Sequence, residues 1–414
     1  MKFFTLQWMG LAAALMCSGC RSWESRKEDA KALPPSAVTS GTSIPALPKE
    51  SRSTQGGLRY ARVFTVSRIA DTTVLQVLKP WQGATADFTY KLVHVDSGKH
   101  PPAEGSVVGD APASGLGVFK IPVARAITLT TSNLHHLETL GVLDALVGLG
   151  SGRYVCGEEV RARLRSGRIL DVGEDMRLDA EAVVSLKPDM LFTYVVGNSS
   201  DGGLAKLAET GIPFVIEGSY MEETPLGRAE WIKFTAAFFD KEAEADSAFA
   251  EIDSAYRSLT ALARTAKRRP TVFVGAPFGG VWWVPSGRTY VGQLLADAGA
   301  DYLWASDTTR GSLNLDLEAV LGRAGGADIW LNAGDWNNLD DAVKQDPRNA
   351  LFKAFREGRV YTNDAIRCEG GGRDFYETGA SRPDWILADL ISILHPDLLP
   401  GHQPRWYRKL GKAK

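Results

Sequence analysis

Leu178-Asp179-Ala180-Glu181-Ala182-Val183-Val184, leading to Pro188-Asp189-Met190-Leu191-Phe192, is the stretch whose reading decides the fold. An Asp stands where it can cap the first turn of a short helix, and an apolar run of strand character follows. The arrangement returns as Leu315-Asp316-Leu317-Glu318-Ala319-Val320-Leu321, leading to Ala327-Asp328-Ile329-Trp330-Leu331, with two extra residues about where Gly325 and Gly326 stand. Each copy is preceded by an amphipathic helical run and a short apolar strand: Leu134–Leu140 with Ala145–Leu149, and Val291–Ala298 with Tyr302–Trp304. A unit that recurs once at this distance predicts two lobes of the same βα construction.

Between the copies, residues 226–268 read as helical, with an amphipathic run from Lys241 to Phe249. One helix over 241–266 would be about 39 Å long, which suits a single rigid strut. The predicted fold class is therefore α/β: two α/β lobes joined by one long helix, with a ligand cleft between them. The N-terminal lobe is placed at 58–225, with a β-rich addition at 58–117 that includes Ala61-Arg62-Val63-Phe64-Thr65-Val66. The linker helix region follows at 226–268, the C-terminal lobe at 269–400 and a tail at 401–414.

The first twenty residues read as an export signal: Lys2 gives a positive start, and Leu11 to Met16 are apolar but too short to span a bilayer. Cys17-Ser18-Gly19-Cys20 resembles a bacterial lipobox, in which Cys20 would be lipidated; Cys17 stands where leucine is usual. A plain signal peptide cut near Gly19 is the alternative. Residues 21–57 carry Ser, Pro, Lys and Glu with almost no apolar run, as a flexible tether does. The chain is expected in the cell envelope, facing the periplasm, and no aspartate after Cys20 marks inner-membrane retention. Cys156 and Cys368 remain in an oxidising compartment. They could pair, but they fall in different lobes, where a bridge would restrict motion, so free thiols are the expectation.

With 414 residues, 44% hydrophobic and 23% charged, the chain has the size and composition of two globular lobes plus a tether. A net charge of −2 gives no general attraction to nucleic acid or anionic lipid. Gly-x-Ser-x-Gly, a phosphate-cradling Gly-x-x-x-x-Gly-Lys and His-Glu-x-x-His are all missing, so an enzyme is not expected.

Several ordered motifs carry a family resemblance across about 118–400: the Glu181 segment with Leu186-Lys187-Pro188-Asp189, Glu230-Trp231-Ile232-Lys233, and Gly358-Arg359-Val360-Tyr361. Arg382-Pro383-Asp384-Trp385-Ile386-Leu387-Ala388-Asp389-Leu390 with His395-Pro396 completes the set. The chain resembles the substrate-binding proteins of ABC importers for iron-siderophores, haem and vitamin B12. The resemblance implies two lobes joined by one helix and capture of an iron complex (ferric siderophore or haem) or a corrinoid in the cleft. It also implies delivery to permease subunits. No resident cofactor or metal, no nucleic acid and no membrane contact beyond the lipid are expected, and the protein should act as a monomer. In this family one Glu per lobe at the repeated motif meets arginines of the transporter, which would be Glu181 and Glu318 here. The bland alternative is that each stabilises the first turn of its helix by about 0.3–1 kcal/mol.

Ligands of open α/β sheets bind beyond the carboxyl ends of the strands. The loops there are aromatic: Tyr154, Tyr194 and Tyr220 in the first lobe, and Phe278, Trp282, Trp283, Trp336, Phe375 and Tyr376 in the second. Arg153, Arg310 and Arg373 share those loops and could clasp an oxyanion. The expected ligand set is Tyr154, Tyr194, Tyr220, Trp282, Trp283, Arg310, Trp336 and Arg373. Some of these aromatics could be core instead, and strand alternation should send one of Trp282 and Trp283 inward. Arg373 is the favoured arginine, because Gly370, Gly371 and Gly372 would let backbone approach a ligand.

Two rivals remain. A zinc or manganese binder needs converging His, Asp and Glu, yet the one histidine pair, His135-His136, occupies adjacent helical positions about 100° apart. A surface lipoprotein without a transport role would leave the repeated lobes and the aromatic loops unexplained.

Overall fold

The computed structural model describes residues 57–95, 116–174, 177–195, 207–208 and 210–412. The export signal, Cys20, the tether up to Gly56 and residues 96–115 of the β-rich addition lie outside the described residues.

Both copies of the repeated unit fold as their sequence indicates. Asp179 caps Ala180–Ser185 by accepting from the Ala182 N–H at 2.9 Å, and Asp316 caps Leu317–Ala324 by accepting from the Ala319 N–H at 2.7 Å. The strands that follow, Met190–Thr193 and Ile329–Leu331, are fully buried, as the strands of parallel sheets are. Each pairs in parallel with the first strand of its lobe, Ala126–Thr128 or Thr271–Val274.

In the N-terminal lobe the sheet runs Phe214–Ile216, Met190–Thr193, Ala126–Thr128, Leu146–Leu149, Leu170–Asp171, all parallel. In the C-terminal lobe the order is Asp301–Tyr302, Thr271–Val274, Ile329–Leu331, extended by a parallel bridge between Trp330 and Val360. Strand order reverses beside the first strand in both lobes, which places the two topological switch points at matched positions. The C-terminal lobe adds an antiparallel sheet of Pro277–Phe278, Val281–Pro285 and Ser312–Leu315.

The single strut expected over 241–266 is present as Glu242–Ala263. Two short helices, Pro225–Ala229 and Ile232–Ala237, precede it, with a break at Asp240, whose φ is 57°. The break has a packing reason. Phe234 and Phe238 belong to the core of the N-terminal lobe, whereas Phe249, Ile252 and Tyr256 belong to that of the C-terminal lobe. One straight helix cannot turn its apolar stripe to both. The last segment, 22 residues, is the strut and is about 33 Å long.

The β-rich addition is a four-stranded sheet, Phe64–Ile69, Thr72–Val77, Phe88–His94 and Leu116–Ile121, whose inner side joins the N-terminal core. Two buried carboxylates fasten its leading segment. Glu230 accepts from the backbone N–H groups of Arg59, Tyr60 and Ala61 at 2.8–2.9 Å. Glu222 accepts from those of Arg62 and Val63 and from Trp231 Nε1 at 2.9–3.0 Å. The Glu230-Trp231 motif thus anchors the addition to the linker.

The C-terminal end is not a free tail. Trp406 is fully buried, its Nε1 donates to Asp374 at 2.8 Å, and Arg408–Lys409 pairs with Tyr361–Thr362. These residues complete the C-terminal lobe.

Candidate ligand-binding site

The segments beyond the carboxyl ends of the switch-point strands are Thr130–Asn133 and Tyr194–Val195 in one lobe, and Gly275–Ala276 and Asn332–Trp336 in the other. Of the aromatic residues nominated from sequence, the structure separates two groups. Tyr194, Tyr220, Phe278, Trp283, Phe375 and Tyr376 are half-buried. Tyr154, Trp282 and Trp336 are buried.

Trp282 and Trp283 divide as strand alternation requires. Trp282 is fully buried, donates Nε1 to the Val274 carbonyl at 2.9 Å, and packs on Phe273, Trp330 and Phe352. It is a core residue, which removes it from the ligand set. Trp283 faces the other way, and its Nε1 is buried without a partner. Trp336 is also committed: it stands edge-on to Trp330 and donates to Gln345 at 2.7 Å, while Gln345 donates to the Pro277 carbonyl. Tyr220 donates to the Val195 carbonyl, tying together the loops after two neighbouring strands.

The arginines are engaged as well. Arg153 pairs with Glu174 at 2.7 Å and lies over the Tyr154 ring. Exposed Arg310 is 3.5 Å from Glu223. Arg373 is buried, where it pairs with Asp335 and donates to Asn363 at 2.9 Å, so the arginine favoured from sequence is already engaged within the protein.

The glycines beside it have a different purpose from the one expected. A Cβ on Gly370 would overlap the Arg153 carbonyl, and one on Gly372 would overlap the Tyr154 carbonyl. They admit the backbone of the opposite lobe, not a ligand. Around them a strap joins the lobes. Cys156 and Cys368 form a disulfide with Cα atoms 5.1 Å apart, which corrects the expectation of free thiols. Glu377 accepts from the N–H groups of Cys156 and Gly157 at 2.8 and 2.7 Å. Arg161 pairs with Glu369. Burial pushes the Glu377 carboxyl up to about 7, against the pull of those two hydrogen bonds.

Another contact between the lobes is lighter: half-buried Glu223 reaches the exposed Arg288 at 3.4 Å and the exposed Arg310 at 3.5 Å. Tyr194, directly after a switch-point strand, and Trp283, whose backbone runs beside Gly275, are half-buried aromatic residues of the two lobes. Asn332, directly after the switch-point strand, has a φ of 53° and a buried, unpartnered Oδ1. Asn is among the few non-glycine residues that adopt this left-handed conformation readily. Neither Asn332 nor Glu377 could be singled out by spacing or residue type.

Glu181 and Glu318 are exposed at matched places on the two lobes. Glu318 pairs with Arg348; Glu181 has no ion-pair partner among the described residues. Each has an exposed apolar neighbour: Val184 is one turn on from Glu181, and Leu351 ends the short helix that carries Arg348.

His136 is buried, bonded through Nδ1 to Thr235 at 3.1 Å, and burial drives its pKa down to about 3. Among the described residues no three His, Cys, Asp or Glu side chains gather so as to hold a metal ion. A cavity of about 60 Å³ beside His136, where the linker meets both lobes, has room for little more than a water or two.

Two doubly wound lobes that face each other across a cleft and share a helical linker define a two-lobe solute-binding protein. The chain belongs to the periplasmic binding protein family, whose model matches residues 127–366. This is the family its motifs resemble. It is similar to an uncharacterized lipoprotein of Methanocaldococcus jannaschii, 28% identical over 301 residues that make up 70% of each chain. A second uncharacterized lipoprotein of that organism is 27% identical over 323 residues, 73% of this chain and 79% of the relative. Among solved structures, a periplasmic haem-binding protein of Pseudomonas aeruginosa aligns over 70% of this chain and 99% of its own, at 20% identity and a TM-score of 0.54. CeuE of Helicobacter pylori with Ni(II) bound aligns over 69% and 88%, at 18% identity and a TM-score of 0.52. At these identities the two structures show the fold.

Proposed function

We propose that this chain is the solute-binding lipoprotein of an ABC importer, which captures an iron complex (ferric siderophore or haem) or a corrinoid between its lobes and hands it to the permease. The observation that carries the reading is Trp283. Its half-open indole faces away from the core beside a switch point, with an N–H that has no protein partner. The half-buried ring offers a flat aromatic face of the kind on which large planar or semi-apolar solutes stack. Tyr194, directly after the switch-point strand Met190–Thr193, is a half-buried aromatic residue on the other lobe. The solved neighbour named as haem-binding fits this class of cargo, and the lipoprotein relatives fit anchoring through Cys20.

Glu181 and Glu318 are the docking carboxylates in this reading, one per lobe, each beside an exposed apolar side chain. Charge complementarity there would govern the encounter with the permease.

One set of variants tests these roles together. Titration with haem, cobalamin and ferric siderophores, followed by intrinsic tryptophan fluorescence, should find a ligand. Trp283→Ala should then weaken it by about 2–4 kcal/mol, or roughly 30- to 900-fold. Glu181→Ala with Glu318→Ala should leave affinity intact and sharply lower uptake. Cys20→Ser should abolish fatty-acid labelling. An intact Trp283→Ala variant with undiminished affinity, or a docking double variant that loses ligand instead of uptake, contradicts the assignment.

A further inference from the structure

We propose that Arg228 and Tyr290 form an oxyanion site on the floor between the lobes, which receives a carboxylate or phosphate group of the captured solute. The identity of the cargo rests on the reading above; the site itself rests on the contrast between Arg228 and the arginines that the sequence brought forward. Arg153, Arg310 and Arg373 are held by Glu174, Glu223 and Asp335 respectively. Arg228 is half-buried and has no carboxylate within 4.0 Å among the described residues; its guanidinium lies over the Tyr290 ring, 5.4 Å from the centroid.

Tyr290 supplies the second donor, because its Oη is buried and has no hydrogen-bond partner. The carboxylates in electrostatic range are already occupied. Glu217 accepts from the Ser219 N–H at 2.9 Å, and Asp384 is forked by Arg382 at 2.9 and 2.6 Å. A guanidinium offers only N–H donors and the phenol adds an O–H, so a group that both can donate to is an oxygen anion. A half-buried guanidinium that has Glu217 only at longer range and makes no ion-pair contact would gain from a bound oxyanion.

The place in the fold fits a solute. Arg228 belongs to Pro225–Ala229, the first linker helix, which packs on Ser219–Met221 of the N-terminal lobe. The same helix packs on Tyr290–Asp297 and Thr378–Ser381 of the C-terminal lobe. Glu217 and His136 on one side and Tyr290 on the other feel its charge. Arg228 therefore sits where the linker meets both lobes.

The test uses the full chain with citrate and inorganic phosphate as probes, thermal unfolding as the readout, and sodium chloride at matched ionic strength as the reference. The wild-type midpoint should rise with at least one oxyanion, and the stronger of the two identifies the group. Arg228→Gln should abolish the rise, and Arg153→Gln and Arg310→Gln should retain it. Tyr290→Phe, which removes a single oxygen and should fold normally, should weaken the apparent affinity about tenfold. No rise in wild type beyond that in sodium chloride, or an equal rise in Arg228→Gln and Tyr290→Phe, overturns the site. A parallel titration compares haem with its dimethyl ester. Arg228→Gln should weaken haem at least about tenfold and leave the ester unchanged. A chain that binds neither form but keeps the Arg228-dependent oxyanion shift would contradict the haem reading and uphold the site.

Discussion

Along one edge of the lobe interface, Cys156 is bonded to Cys368, Gly370 and Gly372 meet the opposite backbone, and Glu377 takes two backbone N–H groups from the other lobe. The contact made by Glu223 consists of one carboxylate reaching two exposed guanidiniums. The first is covalent, close-packed and partly buried. The second is of the kind that contributes about 0–1 kcal/mol and weakens with salt. The difference teaches where this molecule can give. Lobe separation at the strap needs a bond broken and buried groups exposed, whereas at Glu223 it needs only that surface ion pairs exchange with water. We infer that a solute is admitted from the Glu223 side while the strap holds the lobes in register.

The largest break in this comparison is removal of the disulfide. Cys156→Ser with Cys368→Ser should lower stability by about 2–5 kcal/mol, read by denaturant unfolding, because the bond closes a long loop of the unfolded chain. A loss near zero would mean that the strap is held by its packing alone.

Glu377 sharpens the comparison through pH. Its carboxyl is raised above the ordinary carboxylate value to about 7, first by burial, so the folded state favours the protonated form. The stability it contributes is fully present below about pH 4.5 and is lost as pH rises through 7. Unfolding curves between pH 5 and 8 should thus show the wild type losing stability that Glu377→Gln does not lose. Glu217 and Glu222 are also raised by burial, so the difference between the two proteins, not the wild-type curve alone, isolates Glu377. Parallel curves for the two would remove this role.

The smallest effect belongs to Glu223. Glu223→Ala should change stability by less than about 1 kcal/mol. It should raise both the association and the dissociation rates of a bound iron complex in stopped-flow traces. Unchanged rates would place the entrance elsewhere.

What the sequence revealed, and what it hid, follows the range of the interactions. Asp179 and Asp316 were legible because a cap bonds three residues along its own chain, and the strands after them because burial on both faces leaves an unbroken apolar run. Trp282 and Trp283 were legible as a pair, since alternation sends one inward, but which one depends on the register with Leu315 and Asn314. The strap was not legible. Cys156 and Cys368 are 212 residues apart, and Gly370 looks like a ligand-facing glycine until the Arg153 carbonyl is seen against it. The linker break was hidden for a related reason, because its two apolar stripes serve cores that only the tertiary structure separates. Arg228 was passed over since it lies on a helix and not in an aromatic loop; its distinction is the lack of a partner, which no sequence displays.

The most direct measurement is an anomalous difference map at the iron edge from crystals of the protein grown with the tightest-binding iron complex of the panel. The expected result is a single iron peak between the lobes, with ligand density against Trp283 on one side and Tyr194 on the other, and the Cys156–Cys368 bond intact. An iron peak outside the cleft, or ligand density that leaves both rings untouched, would contradict capture between the lobes.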